Sequence, residues 1–358
     1  MSPAPLDSSP EALVLPEVGS PAPVQSDYGN VRAEFEAVVS DCGIYALGGR
    51  IKVKLTGTDQ VRWLNGMVTN NIRDLEVNHG VYAFLLNPQG RILGDLYAYN
   101  RNGSLLLDTD QSQLEKLLAI FEKYIIMDDV EVENLSGQLA AIGIAGPNIR
   151  KVMTDAGIEL PGPNPLQFAA LTWRDIQLTI VRGDNPSVES CEIWLAPESA
   201  ASLWDWLVKC GAKPAGTAAL ELLRIASGVP LYGQDIRERD LPQETNQDRA
   251  LHFAKGCYVG QEIVERIRSR GAVHRQFAGF EMQAHGGAVQ LPAPGAKIQL
   301  DGKDVGEITS VAVLPAAKGE RPVALGYIRR EVGIAGKKVS AEGKELTVVK
   351  LPFIETKR

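Results

Sequence analysis

The sequence has no apolar run long enough to cross a membrane, and it has few cysteines and histidines. A spanning helix needs about 18 consecutive apolar residues, and no run approaches that length. The four cysteines in 358 residues show no CxxC spacing, which argues against a disulfide framework and is typical of a reducing cytoplasm. The four histidines include His252 and His274, which flank Cys257 but do not supply the closely spaced ligands of a zinc site. We therefore expect a cytoplasmic protein with no metal site and no membrane contact.

Positive charge is in deficit as well. The chain has 37 Lys and Arg against 44 Asp and Glu, a net charge of −7, which argues against a generic nucleic-acid coat protein. No Lys or Arg precedes Arg32, so we expect neither a signal peptide nor a transit peptide. Gly48-Gly49 is not followed by Lys and Ser or Thr, and no GxGxxG follows a strand. Nucleoside triphosphates and dinucleotides are therefore disfavoured as ligands.

The length and pattern of the chain indicate two or three domains. Residues 1–27 are rich in Pro, Ser and Ala and predict a flexible tail. Residues 28–270 alternate between helical and strand periodicity, which predicts an α+β region, with the Pro-rich stretch at 161–167 as a candidate break between two subdomains. Residues 271–358 contain short strand-like segments separated by glycines and predict a small C-terminal β-barrel.

Turn chemistry locates two hairpins and a helix in the α+β region. Residues 81–86 and 91–99 flank Asn87-Pro88-Gln89-Gly90, whose order of residue types is that of a type I turn. A second hairpin is predicted to turn at Arg174-Asp175. Residues 111–126 carry the clearest amphipathic helical stripe.

One short segment combines residue types that suit chemistry. It contains a cysteine beside a lysine and a glycine, a setting that lowers a thiol pKa where the sulfur is exposed. The alternative is that Cys257 is a small buried apolar residue at a turn, and spacing alone favours that alternative. The segment is made up of Lys255, Gly256, Cys257, Tyr258, Val259, Gly260, Gln261 and Glu262.

This octapeptide, KGCYVGQE, resembles the hallmark of the YgfZ family of folate-binding proteins that maintain iron–sulfur clusters. That family is related to the aminomethyltransferase, or T-protein, of the glycine cleavage system. The resemblance extends over residues 28–330, and the octapeptide is its most specific part. The weaker supporting segments occur in the family's order at residues 28–47, 64–70, 85–96, 220–235 and 324–330.

The resemblance implies roles for individual residues. Asp95 matches the second acid of the segment that lies near the reacting nitrogens of the folate, whereas Gly94 replaces the first acid. Glu192 matches the acid that holds the pterin, although Ser190-Cys191 departs from the family's pattern before it. Arg224 matches an arginine near the folate, with an ion pair to Asp235 or Glu221 as its structural alternative. With Cys257 as a reactive thiol, these residues predict a tetrahydrofolate or C1-substituted folate site.

The same comparison leaves two folate-dependent functions open, and a third possibility is a scaffold that has lost folate altogether. The cysteine at 257 and the lost acid at 94 favour a folate-binding protein that supports iron–sulfur cluster assembly or repair, and thereby affects tRNA modification. The alternative is an enzyme, a folate-dependent aminomethyltransferase or related C1 transferase. The implied partners are folate and iron–sulfur client or assembly proteins. Arg266, Arg268, Arg270 and Arg275 form a basic patch, which is either a solvated helix end or an anion site that would leave RNA contact open.

Overall fold

The computed structural model describes residues 24–271, 273–283, 290–316 and 319–354. Most of the predicted tail, residues 1–23, therefore lies outside the described residues. Gln25 and Ser26 are tied to the start of a helix, because their carbonyl oxygens accept hydrogen bonds from the N–H groups of Thr217 and Ala218 at 3.0 and 2.9 Å. These bonds satisfy N–H groups that a helix N-terminus leaves without intrahelical partners.

The described residues form helices and strands in two sheets and a barrel. The helices are α1 (Val31–Ser40), α2 (Gln60–Met67), α3 (Leu114–Tyr124), α4 (Ile149–Ala156), α5 (Pro197–Lys209), α6 (Thr217–Ala226) and α7 (Gln261–Arg270). The strands are β1 (Gly43–Ala46), β2 (Arg50–Thr56), β3 (Gly80–Leu86), β4 (Ile92–Asn100), β5 (Leu105–Asp110), β6 (Glu131–Asn134), β7 (Ala140–Ala145), β8 (Phe168–Trp173), β9 (Ile176–Arg182), β10 (Ser190–Leu195), β11 (Lys213–Pro214), β12 (Arg275–Met282), β13 (Lys297–Leu300), β14 (Lys303–Ala316), β15 (Gly319–Arg329), β16 (Lys338–Ala341) and β17 (Lys344–Val349).

The first sheet has five strands in the order β3-β4-β5-β2-β6. The predicted hairpin at its edge is confirmed, since the N–H of Gly90 donates to the carbonyl oxygen of Asn87 at 2.9 Å between β3 and β4. One face packs Leu96 and Ala98 against Leu64 of α2 and Phe121 of α3. Because side chains alternate along a strand, the polar and aromatic residues of β4 must lie on the opposite face.

The second sheet has six strands in the order β11-β1-β7-β10-β9-β8. Helices α4 and α5 pack on it around Ile142, Ile193 and Leu203. The predicted turn at Arg174-Asp175 is confirmed, and its two φ angles of 47° and 67° are those of a type I′ turn. Residues 161–167 connect α4 to β8 within this unit, so the chain passes between the two sheets at other points, near residues 47–49 and 135–139.

The two sheets meet through an aromatic cluster. Tyr99 of β4 contacts Trp194 of β10 edge to face at 5.1 Å between ring centroids, and Phe168 of β8 at 5.8 Å. All three rings are buried. The polar face of the first sheet is therefore turned toward the second sheet.

The C-terminal strands close into a barrel in the order β12-β15-β14-β13-β16-β17. Its interior is filled by residues such as Phe280, Ile298, Ile308 and Leu346, each without solvent exposure. The predicted architecture, an α+β region followed by a small β-barrel, is confirmed. Within the part of the chain that the structure describes, no helix is both long and apolar enough to span a bilayer.

A carboxylate on the barrel holds the segment that follows α6. Glu307 of β14 pairs with Arg237 at 2.5 Å and Arg239 at 3.0 Å through one oxygen, and with Lys297 at 2.8 Å through the other. Burial disfavours the ionised form of Glu307. The hydrogen bonds and charges of Lys297 and Arg237 outweigh burial and lower the pKa of Glu307 from 4.5 to about 2.

We expect Glu307→Gln to lower the melting temperature at pH 7, because the ionised carboxylate stabilises the folded chain at every pH above its unfolded pKa of 4.5. That contribution is lost as the pH falls from 4.5 toward 2, so the parent and the variant should converge there. Thermal unfolding across this pH range measures it. Glu345→Gln is the control: it removes an ion pair with Lys338 in which both side chains are exposed, and it should change the melting temperature little. A difference that stays constant with pH would contradict the prediction.

Candidate functional site

A row of four side chains crosses the inner face of the first sheet. Strand register places Tyr82 opposite Tyr97, Tyr97 opposite Asp108, and Asp108 opposite Lys52. The rings of Tyr82 and Tyr97 lie 5.0 Å apart. Each strand of the row therefore contributes one aromatic or charged group to the same surface.

Asp95 lies on this face, one pleat along β4 from Tyr97. One carboxylate oxygen accepts a hydrogen bond from the hydroxyl of Tyr82 at 2.6 Å, and the other accepts one from Nε2 of Gln113 at 2.7 Å. Burial, together with the charge of Asp95, raises the pKa of Tyr82, which keeps that hydroxyl a donor. The carboxylate is half-buried and held in one orientation, and each oxygen keeps a further lone pair for a ligand.

The charged end of the row is compensated internally. Asp108 is 1% exposed and pairs with Arg50 at 3.1 Å and with Lys52 at 3.0 Å. Burial opposes ionisation of Asp108, but the two cations outweigh burial and lower the pKa of its carboxyl. Lys52 also lies 4.5 Å from the centre of the Trp194 ring on the second sheet. This end of the row therefore joins the two sheets.

Glu192 approaches the row from the second sheet. Its Oε2 accepts a hydrogen bond from Nε1 of Trp194 at 2.8 Å. Burial disfavours the charged form of Arg50. The negative charges of Asp108 and Glu192 outweigh this effect and raise the pKa of the guanidinium. Arg50 lies 5.6 Å from the centre of the Tyr97 ring. The structure thus connects Asp95 to Glu192 through ring contacts that run from Tyr82 to Tyr97, Tyr99 and Trp194.

Arg224 has a different position and task. Its guanidinium pairs with Asp235 at 2.6 Å and Glu221 at 2.6 Å, and it donates to the carbonyl oxygen of Val229 and to the Ser310 hydroxyl. With Nε also bonded to Glu221, all five N–H donors have protein acceptors. The structural alternative predicted for Arg224 is present, and in this arrangement no donor is left for a ligand. Arg224 connects α6 to the barrel.

Cys257 is exposed, so the prediction of a buried small apolar residue is wrong. The residues around it anchor the loop. Lys255 donates to the carbonyl oxygens of Asn65, Val68 and Asn70 at 2.5–2.6 Å, at the end of α2. Burial lowers the pKa of Lys255 to about 7. The three carbonyl oxygens act in the opposite direction, because they favour the ammonium form.

Packing explains why the same motif has a glycine at 260 and a tyrosine at 258. Gly260 has φ +82°, and a Cβ there would lie 2.6 Å from the carbonyl oxygen of Asn87, so only glycine fits against the hairpin turn. Tyr258 is buried in a cluster that includes Tyr82 and Phe84. Among the described residues, no hydrogen bond, ion pair or ring contact joins Cys257 to Asp95, Glu192 or Arg224.

The predicted basic patch is largely paired. Arg266 and Arg268 bond to Glu262 and Glu265 on their own helix, and Arg275 pairs with buried Asp240 at 2.6 Å. The side chain of Arg270 lies outside the described residues. The contacts of Arg266 and Arg268 match the solvated-helix interpretation, whereas Arg275 lies on β12 in a partly buried ion pair. Among the described residues, no group of three or more His, Cys, Asp or Glu side chains could hold a metal ion.

Sequence reasoning missed the tyrosines and a second ion pair. Asp95, Tyr97 and Tyr99 recur at every second residue, a strand-face signal that was readable once Asp95 was singled out. The pair of Arg249 with Asp184 had no such signal, because 64 residues separate the partners along the chain.

Sequence comparison identifies the family. The model of the GCVT N-terminal domain matches residues 17–255, and that of the glycine cleavage T-protein C-terminal barrel domain matches residues 275–355. The chain belongs to the glycine cleavage T-protein family. An aminomethyltransferase of Rubrobacter xylanophilus is 28% identical over 352 residues, which cover 97% of this chain and 92% of that protein. A putative chloroplastic transferase of Arabidopsis thaliana is 26% identical over 86% of this chain and 69% of that protein.

The fold comparison agrees with the T-protein assignment. Glycine cleavage system aminomethyltransferase T from Bartonella henselae superimposes with a TM-score of 0.79, at 23% identity, over 91% of this chain and 90% of that one. The chain therefore has the fold of the aminomethyltransferases. The donor set suits a pterin, since carboxylates accept its amino and amide N–H groups and tyrosine rings stack on a flat heterocycle.

We expect Asp235→Ala to destabilise the protein by about 3–5 kcal/mol, because it leaves the buried guanidinium of Arg224 without its fully buried partner. Glu221→Ala removes the other, 42% exposed partner and should cost about 1 kcal/mol or less. Urea denaturation of both variants gives the comparison. Equal losses of stability would contradict a structural role for Arg224 through Asp235.

Proposed function

We propose that this T-protein family member binds tetrahydrofolate, or a C1-substituted folate, and supports iron–sulfur cluster assembly or repair in the manner of the YgfZ family. The observation that carries the folate part is the continuous aromatic row from Tyr82 through Tyr97 and Tyr99 to Trp194, with Asp95 bonded to one end and Glu192 to the other. Two carboxylates at the ends of an aromatic surface match a flat ligand with N–H donors at both ends.

Each residue has a defined task in this proposal. Glu192 accepts N–H groups of the pterin, because Oε1 has no hydrogen-bond partner among the described residues while Oε2 is fixed by Trp194. Half-buried Tyr97 borders the rings, whereas Tyr82 is buried and acts through its hydroxyl. Asp95, oriented by Tyr82 and Gln113, supports the reacting amines of the folate. The bound folate supplies a one-carbon acceptor or donor.

The proposal for cluster maintenance depends on Cys257. The loop around this cysteine is anchored by Lys255 and Gly260, whereas Cys257 and Gly256 are exposed. An exposed thiol on an anchored loop suits contact with a client or assembly protein in the cytoplasm. Cys42 and Cys191 are buried, and burial raises the pKa of both thiols, so neither suits that role.

A second function, C1 transfer from an amine donor to folate, is supported by the relatives that carry the name aminomethyltransferase. The two functions differ in turnover. Incubation with tetrahydrofolate and an aminomethyl donor yields a methylene-folate product for a transferase, and binding without product for a maintenance protein.

The folate site is tested by Asp95→Asn. We expect tetrahydrofolate affinity to fall by about 1.5–3 kcal/mol, because a charge-assisted hydrogen bond to the ligand is lost. Calorimetric titration measures it. Glu133→Gln, which neutralises an exposed acid on the edge strand of the same sheet, should leave the affinity unchanged. Full affinity in the Asp95 variant would remove this carboxylate from the site.

The thiol is tested by Cys257→Ala. Melting temperature and folate affinity should stay at the parent values, because Gly256 and Cys257 are exposed and the anchoring contacts of the loop come from other residues. Rescue of iron–sulfur enzyme activity in cells that lack the native protein should be lost. Cys210→Ala is the matched control and should rescue fully. Equal rescue by both variants would show that the thiol has no part in the function.

A further inference from the structure

A buried tyrosine on the barrel has a hydroxyl without a partner. Tyr327 of β15 is 1% exposed and lies on the outer face of its strand, where it packs edge to face on Phe277, whereas its neighbour Ile328 belongs to the barrel interior. Among the described residues, the Tyr327 hydroxyl has no hydrogen-bond partner. A buried hydroxyl without a hydrogen bond is unfavourable, and a phenylalanine ring would fill the same space without that cost. The hydroxyl therefore indicates a ligand group that completes its hydrogen bonding.

Two guanidinium groups flank the Tyr327 ring. That of Arg275 lies 4.8 Å from the ring centre, and that of Arg237 lies 5.9 Å from it. Nε and Nη2 of Arg237 are buried and, within the described part of the chain, also have no acceptor. Burial and the charge of Asp240 raise the pKa of Tyr327, so the hydroxyl keeps its proton. The unsatisfied groups around this ring can all donate, which indicates that the missing partner is an acceptor.

A cavity of about 360 Å³ opens beside the ring, and Tyr327 forms part of its wall. Basic side chains outnumber acidic ones in this wall, although the whole chain has a net charge of −7. The basic residues are His274, Arg275, Lys297 and Arg329, and the acidic ones are Asp304 and Glu307. Arg275 is already paired with buried Asp240. Arg329 and His274 are exposed and form no ion pair with an acid among the residues that the structure describes, so both are available to a ligand.

The two acids do not cancel the positive charge. Glu307 is shared by two arginines and Lys297, and its pKa of about 2 reflects a positive potential at that point of the wall. Asp304 is exposed and accepts a hydrogen bond from the amide of Gln299 at 3.0 Å. The cavity therefore combines a positive potential with a buried hydroxyl donor, and both features favour an oxyanion.

The number of donors favours phosphate over carboxylate. A phosphate monoester carries close to two negative charges at neutral pH and has three terminal oxygens. It can accept from the Tyr327 hydroxyl and from a guanidinium group at the same time, and arginine suits this geometry. A cavity of about 360 Å³ also has room for a small group attached to the phosphate.

We propose that this cavity binds the phosphate group of a small phosphate monoester, with the Tyr327 hydroxyl and the Arg329 guanidinium as binding groups. His274 adds an N–H donor from the start of the same wall. The site shares no residue with the aromatic row between the two sheets, so the inference does not rest on the proposed folate function.

The hydroxyl is tested by Tyr327→Phe. The melting temperature of the ligand-free variant should equal or exceed that of the parent, because the change removes a buried group that has no partner in the described chain. Titration calorimetry with ribose 5-phosphate at constant ionic strength should show binding to the parent, and an affinity about tenfold lower for the variant. A parent and variant with the same affinity would contradict the assignment.

The charge is tested by Arg329→Gln, which should also weaken ribose 5-phosphate about tenfold. Arg330→Gln is the matched control, because Arg330 is the next residue of the chain, is exposed and does not line the cavity. It should leave the affinity unchanged. Equal losses in both variants would show that the ligand responds to general surface charge and would overturn the proposed site.

Three probes define the ligand. Inorganic phosphate should compete with ribose 5-phosphate for the site, and uncharged ribose should not bind. AMP tests the source of the phosphate: tighter binding than ribose 5-phosphate assigns a nucleotide, and equal or weaker binding assigns a small sugar-type phosphate. If the parent binds none of the phosphates, the partner of the Tyr327 hydroxyl is water and the proposal is wrong.

Discussion

The buried carboxylate of Asp108 determines how the two sheets face each other. It lies on the central strand of the first sheet, almost without exposure, and pairs with Arg50 and Lys52 of the neighbouring strand β2. An uncompensated charge at this depth would be strongly unfavourable, so both cations must stay in place. Arg50 also reaches toward Tyr97 and Glu192, and Lys52 lies over Trp194 of the second sheet. The two cations that compensate this buried acid thereby also connect the two sheets and hold the polar side chains between them in place.

The four residues that the sequence singled out have different structural roles. Asp95 and Glu192 face a common aromatic surface, where their carboxylates are oriented by Tyr82, Gln113 and Trp194. Arg224 is fully used in connecting α6 to the barrel. Family position alone did not distinguish these tasks, because an arginine in an apolar helix needs partners whether or not a ligand is near.

The KGCYVGQE segment combines a structural frame with one exposed group. Lys255 is bonded to the end of α2, Tyr258 packs into the core, and Gly260 allows close approach to the hairpin turn. These contacts explain why the segment needs its lysine, tyrosine and second glycine, on grounds of packing and hydrogen bonding. They give no structural reason for the cysteine, and that leaves chemistry at the surface as the reason we propose.

The sequence by itself determined the local features: the hairpins at Asn87–Gly90 and Arg174-Asp175, the α+β region followed by a barrel, and Asp95 on a strand face. Each depends on residues within a few positions of one another, whose geometry follows from turn chemistry and side-chain periodicity. Only the tertiary structure decided that Tyr82 orients Asp95, that Arg249 meets Asp184, and that Cys257 is exposed. These relations join or separate segments that are close in space but distant in the chain, and no local pattern encodes which distant side chain will be the partner.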